Sequence, residues 1–193
     1  MARSGYSLVE LLLVTALIGT VSAVAIPGIL ASVDESRALG AARYLSTRLQ
    51  QARMEAITRS ADVGIKFAEE AGRYSYTTYV DGNGNGIRTA EILRSVDPPI
   101  RPAERLRDFF YGVDFGVLPG LPPVEPGALP PGSDPVKLGA ANILTFTPAG
   151  TSSSGSLYIL GRTGTQYVIR IFGASGKTRV LKFDPRVRHW KPL

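Results

Sequence analysis

Gly5-Tyr6-Ser7-Leu8-Val9-Glu10, followed by LLLVTALIGTVSAVAIPGILASV at residues 11–33, is the stretch on which the reading of the whole chain turns. No charged residue occurs in residues 11–33, a run of 23 positions, and a helix needs about 20 to cross the hydrocarbon core of a bilayer. A short basic leader, Met1-Ala2-Arg3-Ser4-Gly5, precedes the run, and one carboxylate, Glu10, sits at its edge. Arg3 is a charge that the positive-inside rule keeps in the cytoplasm, which puts the remainder of the chain beyond the inner membrane. An ordinary secretory signal ends in small residues after its apolar part, and Ser22-Ala23-Val24-Ala25 mimics such a cleavage site. Glu10 argues against that reading, because an ionisable group in apolar surroundings is unfavourable and is retained for a partner.

Gly5, Tyr6 and Glu10, with Leu8, Val9, Leu11, Leu12 and Leu13 around them, resemble the class III signal of type IV pilins and pseudopilins. The resemblance implies cleavage between Gly5 and Tyr6 by a prepilin peptidase, N-methylation of Tyr6 and retention of the apolar segment in the mature chain. Tyr6 stands where that family usually has Phe. Pro27 lies 22 positions into the mature chain, where the family often carries a helix-kinking proline. For Glu10 the resemblance implies an assembly role, with the new α-amino group of Tyr6 on an adjacent subunit as its partner. An unpaired carboxylate in an apolar helix bundle costs several kcal/mol, so such a pair sets the register of packing. The alternative for Glu10 is a carboxylate at headgroup level facing water.

Beyond the apolar run, Asp34-Glu35-Ser36-Arg37 is polar, and then Ala38, Ala42, Leu45, Leu49, Ala52 and Ala56 recur at steps of three and four. That spacing predicts the buried stripe of an amphipathic helix. The pattern yields one helix from about Tyr6 to about Thr58, roughly 80 Å long at 1.5 Å per residue. Its parts are a leader at 1–5, a transmembrane and polymerisation segment at 6–33 and an amphipathic continuation at 34–60. Pro27 removes one helical hydrogen bond, which membrane helices tolerate. The segment from Tyr44 to Ala56 also resembles the corresponding helix of H-type minor pseudopilins and FimT-like minor pilins.

Leader and membrane segment aside, about 160 residues remain, enough for one domain with a proper core. Val63, Ile65 and Phe67 alternate with polar residues, and residues 73–80 are rich in Tyr and Thr, so both read as strands joined by a hairpin at Glu69-Glu70-Ala71-Gly72. Residues 87–96 read as a third strand and 111–117 as a weaker one. Residues 143–148, 156–160, 166–172 and 177–183 complete an antiparallel arrangement, the last three as a meander. The order Phe146-x-Pro148-x-Gly150 followed by strands is similar to the C-terminal half of the H-type pseudopilin domain. The fold class is therefore α+β, a long N-terminal helix packed on an antiparallel β-sheet domain at 61–193. Seven of the fourteen prolines fall in a segment at 118–141, which reads as an extended surface insertion, neither helix nor central strand.

Catalysis finds no support. There is no Cys, and the one His, His189, lies in the terminal tail. Gly173-Ala174-Ser175-Gly176-Lys177-Thr178 ends like a phosphate loop but lacks its glycine spacing and lies between strands, so it reads as a hairpin turn. Asp81, Asn83 and Asn85 place oxygens at alternate positions, as at the start of a calcium loop. The twelfth position is Ile92, however, with Glu91 one place early, so a turn is the preferred reading over a metal site. The chain reads as a structural subunit with no cofactor.

The net charge of +6 is concentrated late, in Lys177, Arg179, Lys182, Arg186, Arg188 and Lys191 against Asp184. Two functions follow. In the first, the chain is a minor pseudopilin of a type II secretion system, anchored in the inner membrane with a periplasmic domain, whose partners are other pilin-like subunits and the peptidase and methyltransferase. In the second, it is a FimT-like minor pilin whose six basic residues, with Trp190 stacking on a base, contact DNA during uptake.

Overall fold

The computed structural model describes residues 7–193; the cleavage site at Gly5 and Tyr6 and the methylation of Tyr6 lie outside the described residues. One helix, α1 (Leu8–Arg59), runs unbroken for 52 residues through Pro27. It stops where Ser60 turns into the left-handed region at φ 52°, its amide bonding back to the carbonyls of Ala56 and Ile57. The buried positions of α1 are Asp34, Ala38, Ala41, Ala42, Leu45, Leu49, Ala52 and Ala56, which is the predicted stripe with Ala41 and Asp34 added.

The strands divide between two antiparallel sheets. The smaller has the order β2 (Arg73–Val80), β1 (Val63–Glu70), β5 (Ile143–Phe146). Between β1 and β2 the turn is tighter than predicted, since Glu70 pairs with Arg73 and only Ala71 (φ 51°) and Gly72 (φ 73°) intervene. Two positive φ values match the right-handed twist of the strands they join. The larger sheet has the order β3 (Asp114–Phe115), β6 (Gly155–Leu160), β7 (Gln166–Phe172), β8 (Lys177–Asp184), β9 (His189–Pro192), with β4 (Val136–Lys137) also on β6.

Three expectations are corrected. Residues 87–96 hold a short helix, α2 (Thr89–Leu93), and no strand; the buried Asp97 carboxylate accepts the amides of Gly82 and Arg88 and folds the segment back on itself. The strand predicted at 111–117 shrinks to the two residues of β3, after a one-turn helix, α3 (Leu106–Phe109). The proline-rich segment is docked and contributes β4. Leu121 from it is buried with Tyr158, Val168, Leu181 and Trp190 on the outer face of the large sheet, and Glu125 makes a two-pronged ion pair with Arg170 at 3.0 and 3.1 Å. Gln166, fully buried, ties the start of the segment down: its side chain accepts from Leu118 N and donates to the carbonyls of Gly116 and Ile159.

The large sheet is therefore covered on both faces. Its inner face packs with the small sheet against the stripe of α1 in one core, and the proline-rich strap seals the outer face. Alanine at five of the eight stripe positions keeps the strands close to the helix axis. Gly161 sharpens the point, since a Cβ there would sit 2.7 Å from the Asp34 carboxylate and 3.3 Å from Ala38.

Candidate functional site

The first half of α1 is the feature the domain does not account for. No residue at 8–33 is buried, and Leu8 and Val24 are 76% and 81% exposed. The apolar side chains surround the axis, the pattern of a helix that must be covered by lipid or by other apolar helices. Its few hydroxyls are compatible with that environment: Thr15 donates to the carbonyls of Leu11 and Leu12, and Thr20 to Leu17, so neither requires water. Glu10 lies in the first turn, exposed like its neighbours.

At the junction the helix is locked to the sheet by Asp34. Its carboxylate accepts the amides of Arg162 and Thr163 at 2.9 Å each and the Thr163 hydroxyl at 2.6 Å, holding the turn between β6 and β7. Glu35, one residue on, accepts from Lys182 of β8 at 2.5 Å. In the sequence Asp34 looks like one more polar residue of a solvated turn. The available signal was its position, four residues before Ala38 and therefore on the buried stripe.

Higher up, Glu104 joins the helix to the small sheet. Arg48 donates to both its oxygens, at 2.5 and 3.1 Å, and the hydroxyls of Tyr44 and Tyr76 donate to Oε2 at 2.9 and 3.0 Å. Burial, and then the Glu104 carboxylate, push the ionisation of both tyrosines upward, with Arg48 partly opposing. The phenols stay protonated donors. The cluster is saturated with structural bonds and offers no free acid or base.

The loop at 81–86 closes on itself. Asp81 Oδ1 accepts the amides of Asn83 and Gly84 at 3.0 and 2.8 Å, and Oδ2 that of Gly86 at 2.6 Å. Burial opposes the charge of Asp81, but these amides outweigh it and hold its pKa below the usual carboxylate value. The side-chain amides of Asn83 and Asn85 both donate to Glu91 Oε1. The three residues proposed from sequence are thus brought together, as a turn built of internal hydrogen bonds. Among the described residues no group of three or more His, Cys, Asp or Glu side chains is arranged to hold a metal ion.

The six late cations are not one patch. Strand alternation separates them: Thr178 and Lys182 of β8 face α1, so Lys177 and Arg179 face the outer side. Lys182 is paired with Glu35 and Lys191 with Asp184, while Arg188 donates to the Gly120 carbonyl at 2.9 Å. Arg179 lies over the Phe172 ring, 5.9 Å from its centroid. Trp190 is 4% exposed, and its indole N–H donates to Pro122 O at 3.0 Å. The expectation that Trp190 stacks on a base is corrected: its ring is part of the seal beneath the strap.

Residues 41–176 match the family model described as type II transport protein GspH. A pilin-like protein, PilA1 of Thermus thermophilus, is 43% identical over 86 residues, which is 44% of this chain and 53% of that protein. The chain thus spans about half the length of that curated relative. The minor pseudopilin EpsH from the type 2 secretion system of Vibrio cholerae is similar with a TM-score of 0.47 and 16% identity, over 76% of this chain and 97% of that one.

Proposed function

We propose that this chain, which belongs to the GspH family of type II transport proteins, is a minor subunit of a pilus-like secretion filament. It is a structural subunit rather than an enzyme. Before assembly it is anchored in the inner membrane by the first half of α1, with the β domain in the periplasm. A prepilin peptidase cuts between Gly5 and Tyr6, and Tyr6 is methylated on its new amine. The observation that carries this reading is a single unbroken helix of which one half buries a continuous stripe against the domain and the other half has no buried residue.

Such a helix leaves the bilayer only by exchanging lipid for the apolar helices of neighbouring subunits. Glu10 then lies in a bundle of low polarity and is paired with the amine of an adjacent subunit's Tyr6, because a buried carboxylate without a cation is strongly unfavourable. The family description favours a secretion system, and the likeness to a pilin-like protein favours a type IV pilus. Both readings require the same assembly chemistry. The DNA-uptake reading draws less support, since the late cations lie on different faces and several are already engaged.

Two measurements test the proposal. Mass spectrometry of the chain from membranes gives a first residue of methylated Tyr6; a chain beginning near Ala25 or Ile26 would overturn the anchor and the filament together. Glu10→Leu lowers recovery in sheared filaments about tenfold or more, the scale expected for breaking a buried pair, while membrane levels stay constant. Unchanged recovery would remove Glu10 from the assembly mechanism.

A further inference from the structure

We propose that the tip of the β8–β9 hairpin, residues 185–188, is a foot that rests on anionic phospholipid headgroups beside the point where α1 enters the bilayer. The inference rests on the membrane-anchor reading of α1 and adds a second contact, made by the domain itself.

The direction of β8 places the tip. Thr178 Oγ1 lies 3.0 Å from Ser46 Oγ and accepts from Gln50 at 3.2 Å, whereas Lys182 meets Glu35. The strand therefore runs down α1 toward its apolar half. Three residues later Pro185 lines the same surface cavity as Ala31 and Ser32, which belong to the last turn of the uncharged run. That run, at 1.5 Å per residue, is about 35 Å long, slightly more than the roughly 30 Å of hydrocarbon it has to cross. Ala31 and Ser32 are thus at the boundary between lipid and water, and residues 186–188 lie at headgroup depth.

The chemistry there suits an anionic surface. Arg186 and Arg188 are exposed on either side of Val187, which is itself 60% exposed. Neither arginine is in an ion pair among the described residues. The neighbouring β6–β7 turn, fixed at the same height by Asp34, presents Arg162, and one turn further up α1 Arg37 lies over the exposed Tyr111 ring, 5.7 Å from its centroid. The three acids nearest the tip are engaged: Asp34 accepts the backbone amides of Arg162 and Thr163, Glu35 pairs with Lys182, and Asp184 with Lys191. Four exposed arginines lie around this end of the domain, Arg188 with one N–H on the Gly120 carbonyl, beside a valine at the tip and a tyrosine at the rim. Basic residues close to a bilayer are drawn to anionic headgroups, and tyrosine concentrates at that depth. Assembly into a filament would have to break this contact, so the foot holds unassembled subunits at the membrane in a fixed orientation.

The chain contains no Cys, so single labels can be placed in the full-length protein. Fluorophores at Val187→Cys, at Ala174→Cys on the opposite end of the same sheet, and at Leu17→Cys in the span are compared in two kinds of vesicle. One is phosphatidylcholine with phosphatidylglycerol, the other phosphatidylcholine alone. A headgroup spin-labelled lipid should quench the Val187 label several-fold more than the Ala174 label in the anionic vesicles. The excess should fall with added salt and in the Arg186→Glu/Arg188→Glu background. Equal quenching at Val187 and Ala174, with Leu17 quenched by an acyl-chain label, refutes the foot and keeps the anchor. An unquenched Leu17 defeats the anchor and the foot with it. Equal excess in both vesicles, or its loss on adding duplex DNA, also overturns the proposal, the latter in favour of a nucleic-acid surface.

Discussion

The two halves of α1 share one backbone and part company at Asp34. Above it, alanine and leucine recur on one face, and every member of that stripe is buried by β-strands. Below it, leucine, valine and isoleucine occupy the whole circumference, and the domain covers none of them. Total hydrophobicity is thus a poor guide to which half packs within the subunit. The half with fewer and smaller apolar residues makes the core, because small side chains in a stripe let strands approach, whereas a uniformly apolar cylinder has no preferred face. The domain leaves the lower half uncovered and packs along one face of the upper half.

The largest test of this contrast is truncation of a leucine in each half. Leu49→Ala should destabilise the domain by about 2–5 kcal/mol, since Leu49 is fully buried. Leu17→Ala should change it by less than about 0.5 kcal/mol. Urea unfolding of the full chain in detergent reads both, and similar losses would erase the distinction between the halves. Next comes the boundary itself. Asp34→Ala leaves two amides and a hydroxyl without their acceptor, which should weaken the domain by about 1–3 kcal/mol and speed hydrogen exchange at residues 162–163. Unchanged exchange there would mean that the helix is held by its apolar stripe alone.

The smallest effect is one of pH, away from the helix. The pKa of Asp81 is lowered in the fold, so its stabilisation is complete above the unfolded value of about 3.9 and is lost as pH falls through the lower folded value. Wild type should therefore exceed Asp81→Asn in stability at pH about 5, with the difference closing toward pH about 2. A difference that does not vary over that window would show that the carboxylate charge is immaterial to the turn.

Periodicity made most of the secondary structure legible. The limits of β2 and β7 and the run of α1 follow from residues close in sequence whose side chains alternate by two or recur by three and four. The misses share a different origin. Residues 87–96 have strand-like composition, yet Asp97 and Glu91 fold them locally. Gln166 and Trp190 acquire their roles from Leu118 and Pro122, some 48 and 68 residues away in the chain. The proline-rich segment is unable to form a helix, as its composition implies, but it is no free insertion, because Leu121 and Glu125 meet partners that exist only once the large sheet has formed.

For the candidate site the division is similar. An apolar helix long enough to span a bilayer and its amphipathic continuation are readable from residue type and spacing alone. Those are properties that local physics reads directly. Which carboxylate locks the helix to the sheet, which of the late cations are paired, and that the β8–β9 tip lies level with the end of the apolar run emerge from the folded arrangement. Each of these depends on what a side chain meets across the fold, and long-range neighbours are set by strand order and strand direction rather than by any pattern along the chain.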